Sequence, residues 1–193
     1  LYLLTAKIIR GVLPNAKLGF CTCESKGEYL KPIFEQLTPS DIDFLCIHNY
    51  DRKLEFGSRY VGSFSGYDFV RELLERYGLS HAELWMGEGG HASWHPVGHC
   101  QCRLGGGNEH RQAVWILRRF FGDFRKDLRL TSIFMIVDLW QKPYEMAVEV
   151  QIKPAAQGLL HGITYEPKSG DCAFARLGTV LGGDTLPALS DLP

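Results

Sequence analysis

Four short apolar runs, each followed by a helix-forming stretch, constrain this chain more than any other feature. The runs are Ala16–Thr22, Asp43–Tyr50, Ala82–Glu88 and Thr131–Asp138. They are apolar at both odd and even positions, whereas a strand with one wet face alternates. The stretches between them have helical spacing. Leu30, Ile33, Phe34 and Leu37 follow a Ser25-x-x-Glu28 capping box and stop at Thr38-Pro39-Ser40. Val70, Leu73, Leu74 and Tyr77 follow Ser65-x-x-Asp68 and close on Gly78. Val114, Leu117, Phe121, Phe124 and Leu128 form the longest stripe. A helix over Leu1–Arg10 precedes the first run, and a short one over Asp171–Leu181 follows the last.

Such alternation predicts an α/β fold with a parallel sheet covered by helices. At 193 residues and 45% hydrophobic content the chain can bury one well-packed core. Four units are too few to close an eight-stranded barrel. Either the sheet is open or another half lies upstream, and a first residue that is not Met, already inside a helix, reads as the continuation of a longer chain. The folded region is expected over residues 1–182, with a flexible tail rich in Gly, Pro and Asp over 183–193.

Polar and aromatic residues gather where the runs end: Thr22, then His48 and Tyr50, then Glu88, then Asp138 and Trp140. Carboxyl ends of parallel strands are where α/β proteins place ligand sites. Glu88 stands out because an apolar run stops on it and two glycines follow. It shares alternation parity with Leu84 and Met86, so it is expected to point the way they do. A carboxylate among His48, Tyr50 and Trp140 suits sugars, which offer apolar ring faces to aromatics and hydroxyls to polar groups. As a nucleophile at an anomeric carbon, Glu88 must stay ionised, which hydrogen bonds from Tyr50 or His48 favour. A second carboxyl group would stand about 5–5.5 Å away for retention, or about 6.5–9.5 Å for inversion.

Three segments carry a family resemblance. Asp43-Phe44-Leu45-Cys46-Ile47-His48-Asn49-Tyr50 is similar to the sixth-strand pattern of clan A (β/α)8 retaining glycoside hydrolases, in which a His and a Tyr line the sugar site. Glu83-Leu84-Trp85-Met86-Gly87-Glu88-Gly89-Gly90 is similar to their seventh-strand pattern, which ends in the nucleophile glutamate. Gly158-Leu159-Leu160, Tyr165-Glu166-Pro167-Lys168 and Ala173-Phe174-Ala175-Arg176-Leu177 resemble the entry to their eighth helix. The resemblance implies the C-terminal half of a (β/α)8 TIM barrel, strands five to eight. Glu88 would be the catalytic nucleophile, His48, Tyr50, Trp140 and Asp138 would contact the substrate, and the substrate would be an oligo- or polysaccharide. In that superfamily the acid/base is a Glu after Asn at the end of strand four. Asn108-Glu109 begins a helix beyond the seventh-strand pattern and is no substitute. The missing N-terminal half of the barrel would supply the acid/base, and this fragment alone would be inactive. Exported relatives make an extracellular or periplasmic setting the expectation.

Other constellations are weaker. His91, His95, His99, Cys100 and Cys102 form the one cluster with zinc-ligand chemistry, but without a C-x-x-C bite it reads as an irregular loop, and no metal or other cofactor is expected. Six cysteines permit disulfides in an oxidising compartment but their spacing establishes none, and buried free thiols in strands explain Cys21 and Cys46 at least as well. Gly105-Gly106-Gly107 follows no strand and lacks the Lys-Ser/Thr of a phosphate loop. Net charge is -1 with signs interspersed, and the Arg118–Arg119 and Arg125–Lys126 pairs read as a solvated helix side, so no nucleic-acid partner is expected. No run approaches the ~20 apolar residues of a membrane span. A non-catalytic carbohydrate-binding or interaction module on the same half barrel is the alternative, and a zinc-dependent hydrolase using the histidine loop is a third reading.

Overall fold

The apolar runs pair side by side as parallel strands. The structure, a computed structural model, describes residues 1–22, 26–50, 60–61, 64–93, 108–141 and 153–181. The expected tail over 183–193 lies outside them. The chain divides into two compact units, residues 1–89 with 118–133 and residues 90–117 with 134–193.

The first unit holds helix α1 (Tyr2–Val12), strand β1 (Gly19–Thr22), α2 (Gly27–Phe34), β2 (Phe44–His48), the two-residue strands β3 (Tyr60–Val61) and β4 (Phe64–Ser65), α3 (Tyr67–Arg76) and β5 (Glu83–Gly89). The helix α4 (Glu109–Arg125) leads into β6 (Leu130–Ile133). The sheet runs β1-β2-β5-β6, every neighbour parallel. This is an α/β arrangement with a four-stranded parallel sheet, consistent with part of a (β/α)8 barrel.

The helices cover one face of the sheet, and on the other face Phe44 and Trp85 are only partly buried and Cys21 is exposed. Leu45, Ile47, Leu84 and Met86 pack with Leu30 and Phe34 of α2 and Val70, Leu73 and Leu74 of α3. On the other face Phe44 stacks on Trp85 with ring centroids 3.8 Å apart. Asp43 ties the strand starts together, accepting from the Leu18 N–H and from Arg10, each at 2.7 Å.

The helix starts differ from expectation. Lys26 and Gly66, rather than Ser25 and Ser65, precede α2 and α3, and neither helix has a side-chain cap. Asp68 is instead engaged by Lys126 at 2.8 Å. α2 also ends at Phe34, short of Thr38, although Leu37 remains in the core. Gly78 closes α3 as expected, with φ of +71°.

The largest correction concerns α4. Of its expected apolar stripe, Val114, Phe121 and Phe124 are exposed and Leu117 is half-buried, while Leu128, just past the helix, lies in the core. The buried face is Gln112, Trp115, Ile116, Arg119 and Asp123, at the same three- and four-residue spacing. Arg119 is therefore no solvated residue. Burying it is tolerable because each of its polar neighbours answers its charge or donors.

In the second unit, β7 (Leu139–Gln141) and β8 (Lys153–Ala155) form an antiparallel pair, and α5 (Ser169–Leu181) follows. The fourth expected strand is split: β6 ends at Ile133, and Val137 instead bridges Leu160 in parallel. Leu160 donates to Ile136 at 2.8 Å, and Asp138 donates to Leu160 at 3.1 Å.

Candidate functional site

β2 and β5 bring their polar residues to the same end of the sheet. Leu45 lies opposite Leu84 and Ile47 opposite Met86, but the next pair is His48 with Glu88. Gly87 is thus an extra residue on β5, a β-bulge. Opposed residues of parallel strands share a face and successive residues alternate. The bulge therefore turns Glu88 off the face of Leu84 and Met86 and onto the face of Cys46 and His48, which corrects the parity expectation. Glycine is required there, because the Cys46 sulfur lies 2.1 Å from where a Cβ would stand.

His48, Tyr50 and Glu88 converge as a result. His48 Nδ1 lies 3.4 Å from Glu88 Oε2, and the two side chains are 15% and 30% exposed. The Tyr50 hydroxyl donates a hydrogen bond to Glu88 Oε1. On the other side of the imidazole, Cys21 Sγ lies 3.2 Å from His48 Nε2. Cys46 is buried as expected, but Cys21 is exposed. A carboxylate held by a phenol and an imidazole and still partly open to solvent can serve as nucleophile, base or ligand.

Behind this group stands Arg119, buried rather than on a solvated helix side. Its guanidinium donates to Asp123 at 3.0 Å, to the Tyr67 hydroxyl at 2.5 Å and to the Asn49 carbonyl at 3.3 Å. Asn49 separates His48 from Tyr50, so this buried cation fixes the backbone from which both reach Glu88. Burial pushes the Asp123 carboxyl up despite Arg119 beside it, and pushes the Tyr67 phenol up as well. The only sequence hint was the Gln112, Arg119, Asp123 spacing, which a count of apolar residues ignores.

Asp138 and Trp140 belong to the second unit. Asp138 Oδ1 accepts from Lys168 Nζ at 2.6 Å and from the Gly158 N–H at 2.8 Å. Lys168 is fully buried and also donates to Ser93 Oγ at 3.0 Å. Trp140 lies in β7 opposite Pro154. Gln112 joins three carbonyls, those of His91, Gln157 and Gly158, through one amide nitrogen at 2.9–3.1 Å.

Of the histidine and cysteine cluster only His91 is among the described residues. Its Nδ1 contacts the Ala92 carbonyl at 3.0 Å and its ring tilts against Trp115. His95, His99, Cys100 and Cys102 lie outside them, as does Gly105-Gly106-Gly107. Among the described residues no group of three His, Cys, Asp or Glu side chains is placed to hold a metal. No helix among them is long and apolar enough to cross a membrane.

No protein-family model matches the chain, and no curated protein matches it in sequence. Solved structures match it in fold. A GH2 beta-galacturonidase from Eisenbergiella tayi, bound to galacturonate, superposes with a TM-score of 0.62 at 11% identity, over 94% of this chain and 30% of that one. A family 39 glycoside hydrolase from the gut symbiont Bacteroides cellulosilyticus WH2 gives 0.54 at 17% identity, over 80% of this chain and 30% of that one. A glucosidase from Croceicoccus marinus gives 0.52 at 14% identity, over 70% and 27%. The fold is shared with part of glycoside hydrolases. This chain spans less than a third of the length of each.

Proposed function

We propose that this chain is the C-terminal half of a retaining glycoside hydrolase, strands five to eight of a (β/α)8 barrel, acting on oligo- or polysaccharides. The observation that carries the reading is the convergence of His48 and Tyr50 on Glu88 at the carboxyl ends of parallel strands. Glu88 is the nucleophile. Its carboxylate attacks the anomeric carbon, the glycosyl-enzyme ester forms, and water later releases the sugar. The Tyr50 hydroxyl donates to one oxygen of the carboxylate, and His48 orients the other. Asp138 and Trp140 contact sugar in the same reading, and residues 1–182 form the catalytic half with 183–193 as a tail.

The acid/base glutamate and strands one to four come from an upstream half. Two features support such a partner. α1 leaves Leu4, Ile8 and Val12 exposed along one side, and β1 has only β2 beside it among the described strands. A strand with one open edge beside an apolar helix face invites a further strand and helix.

The test joins the chain to its upstream coding region and assays aryl glycosides. Turnover with net retention is expected, together with an upstream Asn-Glu and covalent labelling of Glu88 by an activated 2-fluoro glycoside. Glu88→Gln is expected to lose turnover while keeping the fold. Full activity in Glu88→Gln would overturn the assignment. Oligosaccharide binding without turnover in the joined protein would favour the non-catalytic alternative.

A further inference from the structure

The imidazole that faces Glu88 through Nδ1 meets a thiol through Nε2, and that thiol has a second one beside it. Cys21 and Cys46 are directly opposed on the parallel strands β1 and β2. Neighbouring strands lie about 4.8 Å apart, inside the Cα separation of about 4.4–6.8 Å that a disulfide spans. Opposed residues of parallel strands project from the same face. Both sulfurs accordingly converge on the gap above Gly87, at 2.1 and 3.6 Å from where its Cβ would stand. Cys21 is exposed and Cys46 is buried.

We propose that Cys21 and Cys46 form a two-thiol oxidation site, in which Cys21 is the sulfur attacked by a hydroperoxide and Cys46 the sulfur that closes a disulfide. The proposal does not rest on the glycosidase reading, since it needs only the geometry of β1, β2 and the Gly87 bulge.

The roles follow from position. With a proton on His48 Nδ1 facing the Glu88 carboxylate, Nε2 is free to accept the Cys21 proton at 3.2 Å. The thiolate attacks one peroxide oxygen: an S–O bond forms, the O–O bond breaks, and the leaving oxygen takes the proton from Nε2 and departs as water or an alcohol. Cys21 is then a sulfenic acid. Cys46 attacks its sulfur, the S–S bond forms, the S–O bond breaks, and the oxygen leaves as a second water carrying the Cys46 proton. Overall two thiols and one hydroperoxide give a disulfide, water and the reduced hydroperoxide. Burial pushes the Cys46 thiol up to about 12, so at neutral pH it stays protonated and does not react first. Closing the bond draws the Cys21 sulfur toward Cys46 and away from His48.

The test treats the reduced full chain with hydrogen peroxide and maps its peptides without reduction. The expected product is an intramolecular Cys21–Cys46 link, lighter by two hydrogens and reversed by dithiothreitol. Cys172, an exposed free thiol, is the internal reference. Cys21 is expected to oxidise faster than Cys172, and His48→Gln is expected to remove that advantage. Cys46→Ala should halt the reaction at a Cys21 sulfenic acid trapped by dimedone. Because the wild-type map needs no variant to fold, the site is tested either way. Linkage of Cys21 to any other cysteine, oxidation at Cys46 before Cys21, or a Cys21 rate no greater than that of Cys172 would overturn the proposal.

Discussion

The Cys46 sulfur occupies the space that a side chain at Gly87 would need, 2.1 Å from the position of a Cβ. Cys46 sits on an inner strand and is buried, which leaves its sulfur little room to move aside. Gly87→Ala should therefore strain the bulge and cost about 1–3 kcal/mol, the usual range for overpacking a filled site. Urea unfolding checks this. Adding Cys46→Ala should recover part of the loss, because the two side chains compete for one space.

Tyr50→Phe removes the hydroxyl that donates to Glu88 Oε1. A hydrogen bond to a charged group is worth about 1.5–3 kcal/mol, and about 1.4 kcal/mol is tenfold in rate. On the proposed mechanism, kcat of the joined full-length protein should fall by about 10- to 100-fold. Steady-state kinetics on one aryl glycoside measures it, and an unchanged kcat counts against the role given to Tyr50.

Arg119 and Asp123 are 1% and 2% exposed and share a hydrogen bond one helical turn apart. Arg119→Met would leave Asp123 a buried charge without its cation, at a cost of about 3–5 kcal/mol. Arg119→Met/Asp123→Asn should be the more stable of the two variants, since it removes the orphaned charge along with its partner. Denaturant midpoints decide between additive and compensating behaviour.

The pH dependence of stability has two arms. The Thr38 hydroxyl and N–H hold the Asp41 carboxyl below its usual range, and Lys17 with the Trp85 indole does the same for Glu83. Their stabilisation is present above the unfolded values near pH 4 and is lost as pH falls through the lower native ones. At the alkaline end, burial raises Cys46 from 9.0 to about 12. A raised acid favours the native state below its unfolded value, so that contribution drains away between about pH 9 and 12. Melting temperatures should fall at both ends. Asp41→Asn and Glu83→Gln should flatten the acid arm, and Cys46→Ala the alkaline one.

Gly78 closes α3 at φ of +71° with open space around its Cβ position. Gly78→Ala should cost about 1 kcal/mol through backbone conformation alone, visible as a small shift in the urea midpoint without a change in slope.

How much of this was legible in the sequence depends on the range of the interaction. The order of strands and helices was readable because Leu45, Ile47, Leu84 and Met86 pack under the helices while Phe44, Cys46 and Trp85 make the other parity apolar too. The gathering of His48, Tyr50 and Glu88 at strand ends was readable for the same reason. The bulge was not, since one glycine in Gly87-Glu88-Gly89-Gly90 carries no mark that it is the extra residue. Arg119 was misread because its partners Tyr67 and Asn49 lie 52 and 70 residues away, and the one local mark that sets it apart from Arg118 is Asp123 four residues on. The face of α4 was misread because apolar spacing was counted while the polar residues at the same spacing were not. The meeting of Cys21 with His48 depends on the register between β1 and β2, which composition does not encode.

The one-residue bulge makes the chemistry of β5 depend on register as much as on residue type. Were Gly87 paired opposite His48 in strict alternation, residue 88 would rotate by half a turn into the oily layer beneath α2 and α3. A carboxyl group there could persist only as the neutral acid, so the same residues in an unbulged strand would keep the fold and silence the anion.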